Sequence, residues 1–226
     1  LQTIPPIQGE PILLGESAAV SVGDTVQILT AGELAGSTAR VLSRKAFVGY
    51  WEYLLESSIY VAPAHPDYGG AALIADDGRL VGVGSILTRM EMEGVGWIPC
   101  NMFVPIDLLK PILAGLVDRG EAGGSPKPWL GIHSEEVQGR VFVLRVSEEG
   151  PSAAAGLKPG DVILSVGGKA VEGLADFYRK LWSMGDAGTR VPLRVLQGDQ
   201  VQDIVVESKD RRQYLLPAGK DIGDSI

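Results

Sequence analysis

Residues 118 to 128, Asp-Arg-Gly-Glu-Ala-Gly-Gly-Ser-Pro-Lys-Pro, carry no hydrophobic period and are rich in glycine, proline and charge. A stretch of that composition has no face to bury, so it reads as a linker dividing the chain into two modules. Both modules are built of short apolar runs punctuated by glycine-containing turns, the pattern of a mainly β protein. In the first, apolar segments at Pro11 to Leu14 and Val22 to Leu29 flank Gly15-Glu16-Ser17, and Val26 and Ile28 alternate with Thr25 and Gln27, which predicts a strand with one buried face. Asp77-Gly78 between two apolar runs predicts a hairpin. Leu108, Leu109, Ile112, Leu113 and Leu116 fall at helical spacing between Asp107 and Val117. Asp107 is placed to cap that helix, Pro111 falls in its first turn, and its apolar stripe is expected to pack on the first module.

In the second module, Val141 to Val146 and Asp161 to Val166 predict strands, with a short helical turn over Gly150 to Leu157 between them. Leu174, Phe177, Tyr178 and Leu181 share one helical face, and two last strands, Val191 to Leu196 and Val201 to Val206, meet at Gly198-Asp199.

Composition narrows the function classes. Apolar residues make up 45% of the chain and charged residues 21%, ordinary for a chain with a real core. A formal net charge of -8 argues against binding a nucleic-acid backbone. No apolar run reaches the roughly 18 residues of a membrane span. The single Cys100 excludes an internal disulfide, and Cys100 with His65 and His133 has no zinc-type spacing, so neither a metal nor a cofactor is expected. The chain begins at Leu1 without the charged, apolar and small-residue succession of a signal peptide, and is expected to be a piece of something longer.

His65-Pro66-Asp67-Tyr68-Gly69-Gly70-Ala71-Ala72-Leu73 is a tight turn running into an apolar strand. It resembles the nucleophile loop of HtrA/Deg-type trypsin-like serine proteases, Asn-Pro-Gly-Asn-Ser-Gly-Gly-Pro-Leu, with Gly69 where the nucleophilic serine stands. Gly15 to Val26 is similar to the segment that opens that family's second barrel, Ser37 to Arg44 to its next strand, and Trp97 to Pro105 to its Gly-Phe-Ala-Ile-Pro strand. Ile59 to Ala64 matches the approach to the loop, with Val61 in place of an Asp. The resemblance implies a six-stranded, trypsin-like β-barrel half over residues 1–117.

Glycine offers no attacking atom. Asp67 stands where the family has a glycine whose N–H helps hold the oxyanion, and a carboxylate there would repel the developing charge. No catalytic residue is therefore assigned, and Asp67, Tyr68 and Gly69 form a degenerate site. The family's charge-relay His and Asp belong to its first barrel, which no part of this chain resembles. His65 reads as a surface turn residue, Cys100 as a small core residue, and Ser57 and Ser58 as hydroxyls without a paired base.

Beyond the linker, set at 118–127, Gly150-Pro151 through Ala155-Gly156-Leu157-Lys158-Pro159-Gly160-Asp161-Val162-Ile163 matches the signature of HtrA-type PDZ domains. The resemblance implies a β-rich α+β PDZ domain over 128–208. Leu130-Gly131-Ile132 then corresponds to the loop whose N–H groups receive a peptide's C-terminal carboxylate. The peptide would add as a strand along Ile132, His133 and Ser134, against the helix bearing Phe177, Tyr178 and Leu181. His133 alternates with Ile132 and reads as structural; Leu174, Phe177, Tyr178 and Leu181 read equally as core or groove. Residues 209–226 read as a flexible tail, with Ile226 a conceivable occupant of a PDZ groove.

These readings imply a non-catalytic HtrA-like protein that binds peptide C-termini or unfolded polypeptides through its PDZ domain, in protein quality control or signalling. By resemblance it belongs to the periplasm or cell envelope, with a homo-oligomer left open. The alternatives are an active HtrA-type endopeptidase whose remaining catalytic part lies outside this chain, and a scaffold docking a partner on an exposed barrel face.

Overall fold

The computed structural model describes residues 9–31, 36–120 and 122–215. The chain forms two units: Leu1–Phe47 with Leu55–Gly123, and Val48–Leu54 with Gly124–Ile226. The expected mainly β architecture is present in both.

In the first unit, β1 (Thr25–Leu29), β2 (Ser37–Gly49), β3 (Tyr53–Ala62), β4 (Ala72–Ile74), β5 (Leu80–Met92) and β6 (Gly96–Pro105) close an antiparallel barrel in the order β1-β2-β3-β6-β5-β4. Val26 and Ile28 are buried, as the alternation in β1 predicts. Register follows from that alternation: Ile28 pairs with Leu73 across β1 and β4, so both enter the core with Ile59, Val61 and Phe103. Burying each such side chain stabilises by about 1.5–3 kcal/mol. β4 and β5 are joined through Gly78 in the left-handed region (φ 78°), the expected hairpin.

Two expectations for the segment after β6 are corrected. Asp107 caps no helix: it lies in a 3-10 turn, Ile106–Leu108, where its carboxylate accepts from Ser17 Oγ and the Ala18 N–H, both at 2.8 Å, and pairs with Lys110. The helix α1 (Lys110–Arg119) starts later and buries none of its residues, because the anchoring side chain, Ile106 at 1% exposure, falls in the preceding turn. α1 also runs two residues past Val117, to end at Gly120 (φ 72°), whose N–H bonds back to Leu116.

In the second unit, β7 (Ile132–Val137), β8 (Arg140–Val146), α2 (Pro151–Ala154), β9 (Val162–Val166), β10 (Lys169–Ala170), α3 (Leu174–Trp182), β11 (Arg190–Gln197) and β12 (Gln200–Glu207) give a sheet ordered β12-β11-β9-β8-β7, with β10 on β9. Phe177, Tyr178 and Leu181 are fully buried against Leu130, Ile132, Val143, Ile163 and Val195. Glu136 of β7 accepts from the Leu174 N–H at 2.7 Å and so supplies the cap that Gly173 cannot.

The expectation of a flexible tail from residue 209 is corrected over its first part. Lys209 exchanges both backbone bonds with Trp129, at 3.0 and 3.1 Å, and α4 (Arg211–Leu215) sets the Tyr214 ring 4.5 Å from that of Trp129. Paired backbone and aromatic packing order this segment. Ile226 lies outside the described residues.

Candidate functional site

In the first unit, the turn from His65 to Ala71 is held by its backbone. Gly70 N–H donates to the Gly84 carbonyl at 2.9 Å, and Gly84 N–H to the Ala71 carbonyl at 2.7 Å. Position 84 must be glycine, since a Cβ there would lie 1.9 Å from the Tyr68 carbonyl oxygen. At position 69 a Cβ would meet nothing within 4 Å, so nothing steric excludes a side chain.

His65 is buried at 7% exposure rather than lying on the surface. The buried Asn101 amide explains this, accepting from the His65 N–H at 2.6 Å and donating to its carbonyl at 3.2 Å. His65 Nδ1 in turn accepts from the Asp67 N–H at 3.1 Å. The donor expected to face a developing oxyanion is therefore spent within the turn. Cys100 is buried in the core as expected, and burial pushes its thiol pKa up. Ser57 Oγ accepts from Arg44, and Ser58 is buried.

In the second unit, Leu130, Gly131 and Ile132 stand at the entry to β7. Gly131 has φ 75°, which a side chain rarely adopts, and a Cβ would crowd the Trp129 ring, Gly150 and Pro151 at 3.2–3.3 Å. Their carbonyls face away, Leu130 O accepting from Ser152 N–H at 3.0 Å and Gly131 O from Ser147 N–H at 2.8 Å. The N–H groups converge on one carboxylate, that of Glu52: Leu130 donates to Oε2 at 2.9 Å, Gly131 and Ile132 to Oε1 at 2.8 and 3.0 Å. Such a run of N–H groups forms an anion nest.

The segment carrying Glu52 lies beside β7 and α3. The Tyr50 carbonyl accepts from the Ser134 N–H at 2.8 Å, the bond of an added strand. Tyr178 Oη donates to the Gly49 carbonyl at 3.0 Å and accepts from the Glu52 N–H at 3.1 Å. Arg211 Nη1 reaches the Trp51 carbonyl at 3.3 Å. Glu52 itself has φ 57°, a left-handed conformation uncommon outside glycine that turns the carboxylate into the nest. Its pKa is pushed up to about 7: burial dominates, opposed by the three N–H donors and the Arg211 charge. A cavity of about 380 Å³ remains between Val48, Tyr50, Ser134, Glu136, Leu144 and Leu174.

Of the residues expected to line the groove, Leu130, Gly131, Ile132 and Ser134 meet the 48–54 segment through their N–H groups and Tyr178 through its hydroxyl. Phe177 and Leu181 belong to the core. The His133 ring meets that of Tyr50 edge-on at 5.3 Å, and burial lowers its pKa, helped by Arg145 and Arg211. Sequence reasoning missed Glu52. The available signal was Phe47, Tyr50, Trp51 and Tyr53 crowding one short stretch around a single carboxylate.

Residues 128–207 match the PDZ domain family. Over 231 residues the chain is 25% identical to a serine protease Do-like HtrA of Bacillus subtilis (strain 168), covering 88% of this chain and 49% of that protein. Over 239 residues it is 26% identical to a probable periplasmic serine endoprotease DegP-like of Hahella chejuensis, covering 93% and 48% respectively. The fold superposes on the HtrA-type protease AlgW solved with a decapeptide at a TM-score of 0.57 and 20% identity, over 88% of this chain and 63% of that one. The chain spans about half the length of the curated relatives it matches. The chain thus carries a PDZ domain at 128–207 and is similar over most of its length to HtrA/Deg-type serine proteases.

Proposed function

We propose that this chain is a non-catalytic HtrA-like binder that takes peptide C-termini, or the ends of unfolded polypeptides, into the groove between β7 and α3, in protein quality control of the bacterial envelope. The observation that carries the reading is the nest of Leu130, Gly131 and Ile132 N–H groups, closed on a carboxylate within 3.0 Å and set at the head of a strand whose Ser134 N–H pairs with an added segment. A C-terminal carboxylate satisfies the same donors while its chain extends along β7. Solved HtrA-type neighbours described with a decapeptide and a tripeptide support this, and relatives named periplasmic support the compartment. The non-catalytic half rests on Gly69, which supplies no nucleophile, and on the Asp67 N–H bonded to His65.

The protein is tested with a fluorophosphonate serine probe and casein, and with fluorescein-labelled peptides ending in Val, Ile, Leu or Phe. No labelling, no cleavage and saturable binding that amidation of the peptide abolishes are expected. Labelling or cleavage overturns the non-catalytic reading in favour of an endopeptidase; binding indifferent to amidation overturns the groove assignment.

A further inference from the structure

We propose that residues 49–52 are a built-in ligand of this groove, with the Glu52 side-chain carboxylate in the place of a peptide's C-terminal carboxylate, so that an incoming chain end binds only by displacing them. The inference rests on the reading of the groove as a site for C-termini.

The segment makes both kinds of contact that define such a ligand. Its carboxylate takes all three N–H donors of the nest, and its main chain bonds to Ser134 at the strand edge. The two anchors lie two residues apart, at Tyr50 and Glu52. Tyr178 then clamps the turn between them from α3, holding Gly49 and Glu52 together. Val48 and Leu54 pack against the core of the second unit on either side.

Glu52 and a foreign C-terminal carboxylate cannot share the nest, because two like charges would face the same three donors. A tethered segment competes at the high effective concentration of an intramolecular group. The apparent affinity for an added peptide is therefore reduced by the fraction of molecules whose nest is open. The cavity bordered by Val48, Tyr50 and Ser134 lies along the path such a peptide follows beside β7.

The experiment measures fluorescence polarisation of the same peptide panel on the full chain and on its Glu52→Gln and Glu52→Ala variants, with amidated peptides as controls. Glu52→Gln keeps the side chain's shape but sets an NH2 donor against the Leu130 N–H where Oε2 accepts, so it opens the nest by a donor–donor clash that a protonated carboxyl avoids, and it carries the test if Glu52→Ala fails to fold. We expect the variants to bind free-carboxylate peptides about 10- to 100-fold more tightly than the unmodified chain, the range for a nest closed 90–99% of the time. Amidation should cancel the gain. Equal affinity in the unmodified chain and both variants overturns the built-in ligand and leaves the peptide-binding reading intact. Absence of binding by all three proteins overturns that reading, and the inference with it.

Discussion

The backbone N–H of Asp67 donates to Nδ1 of the buried His65 at 3.1 Å. This bond limits what a serine placed at position 69 can achieve. Gly69 lies outside the left-handed region and its Cβ position is open, so Gly69→Ser is expected to fold with a stability within about 0.5 kcal/mol of the original. It is expected to remain unlabelled by a fluorophosphonate probe, because an oxyanion site needs donors aimed at the developing charge. Labelling of the variant alone would show that one lost hydroxyl silences the loop.

Tyr178→Phe isolates the clamp. The ring's stacking on Trp182, 5.5 Å away, survives, while the Gly49 carbonyl and Glu52 N–H lose their buried partner. A destabilisation of about 1–3 kcal/mol is expected in urea unfolding. Peptide affinity should rise as the 49–52 segment loosens; a fall would mean that the hydroxyl serves incoming peptide directly.

Gly84→Ala should be among the most damaging single-methyl additions in the first unit. Its Cβ would sit 1.9 Å from the Tyr68 carbonyl oxygen, a backbone atom that no rotamer change can move. Either β5 or the turn must shift, at a cost of about 1–3 kcal/mol or more. Thermal unfolding measures the loss, and amide hydrogen exchange should show Gly70 and Ala71 losing protection.

Affinity for C-terminal peptides should depend on pH through Glu52. Its carboxyl is raised to about 7 in the closed groove, against about 4.3 for a glutamate in water. A group raised in this way favours closure while protonated: the contribution is full below about pH 4 and is lost as the pH rises through 7. The groups facing it are Tyr178 from α3, whose pKa burial raises, and Arg211 from α4. His133 on β7, against Tyr50, is shifted downward by burial, then by Arg145 and Arg211. Peptide affinity should therefore rise severalfold from pH 5.5 to 8 in the unmodified chain and stay flat in Glu52→Gln. Equal slopes in the two proteins would remove Glu52 as the titrating group.

Legibility differed between the two units for a physical reason. The period-two alternation of β1 and the glycine turn at Gly78 are local signals, and both produced the elements they predict. The α3 face was equally local, and its four apolar residues are all buried. Asp107 misled because a capping residue is recognised by position, whereas its carboxylate found Ser17 and Ala18, distant in sequence. His65 misled in the same way: turns are usually exposed, yet this one is fastened to the buried Asn101.

By itself, the sequence determined a β-rich chain and the apolar face of α3, because these follow from residue types at fixed short spacing, while the readings of the Gly69 loop and of Leu130-Gly131-Ile132 as a carboxylate nest came from resemblance to the HtrA/Deg family. Only the tertiary structure decided what fills that nest. Glu52 lies far from Gly131 along the chain, and no periodicity or motif joins them. They meet because folding places residues 48–54 beside β7 and α3, where a buried carboxylate is tolerable only with N–H donors around it.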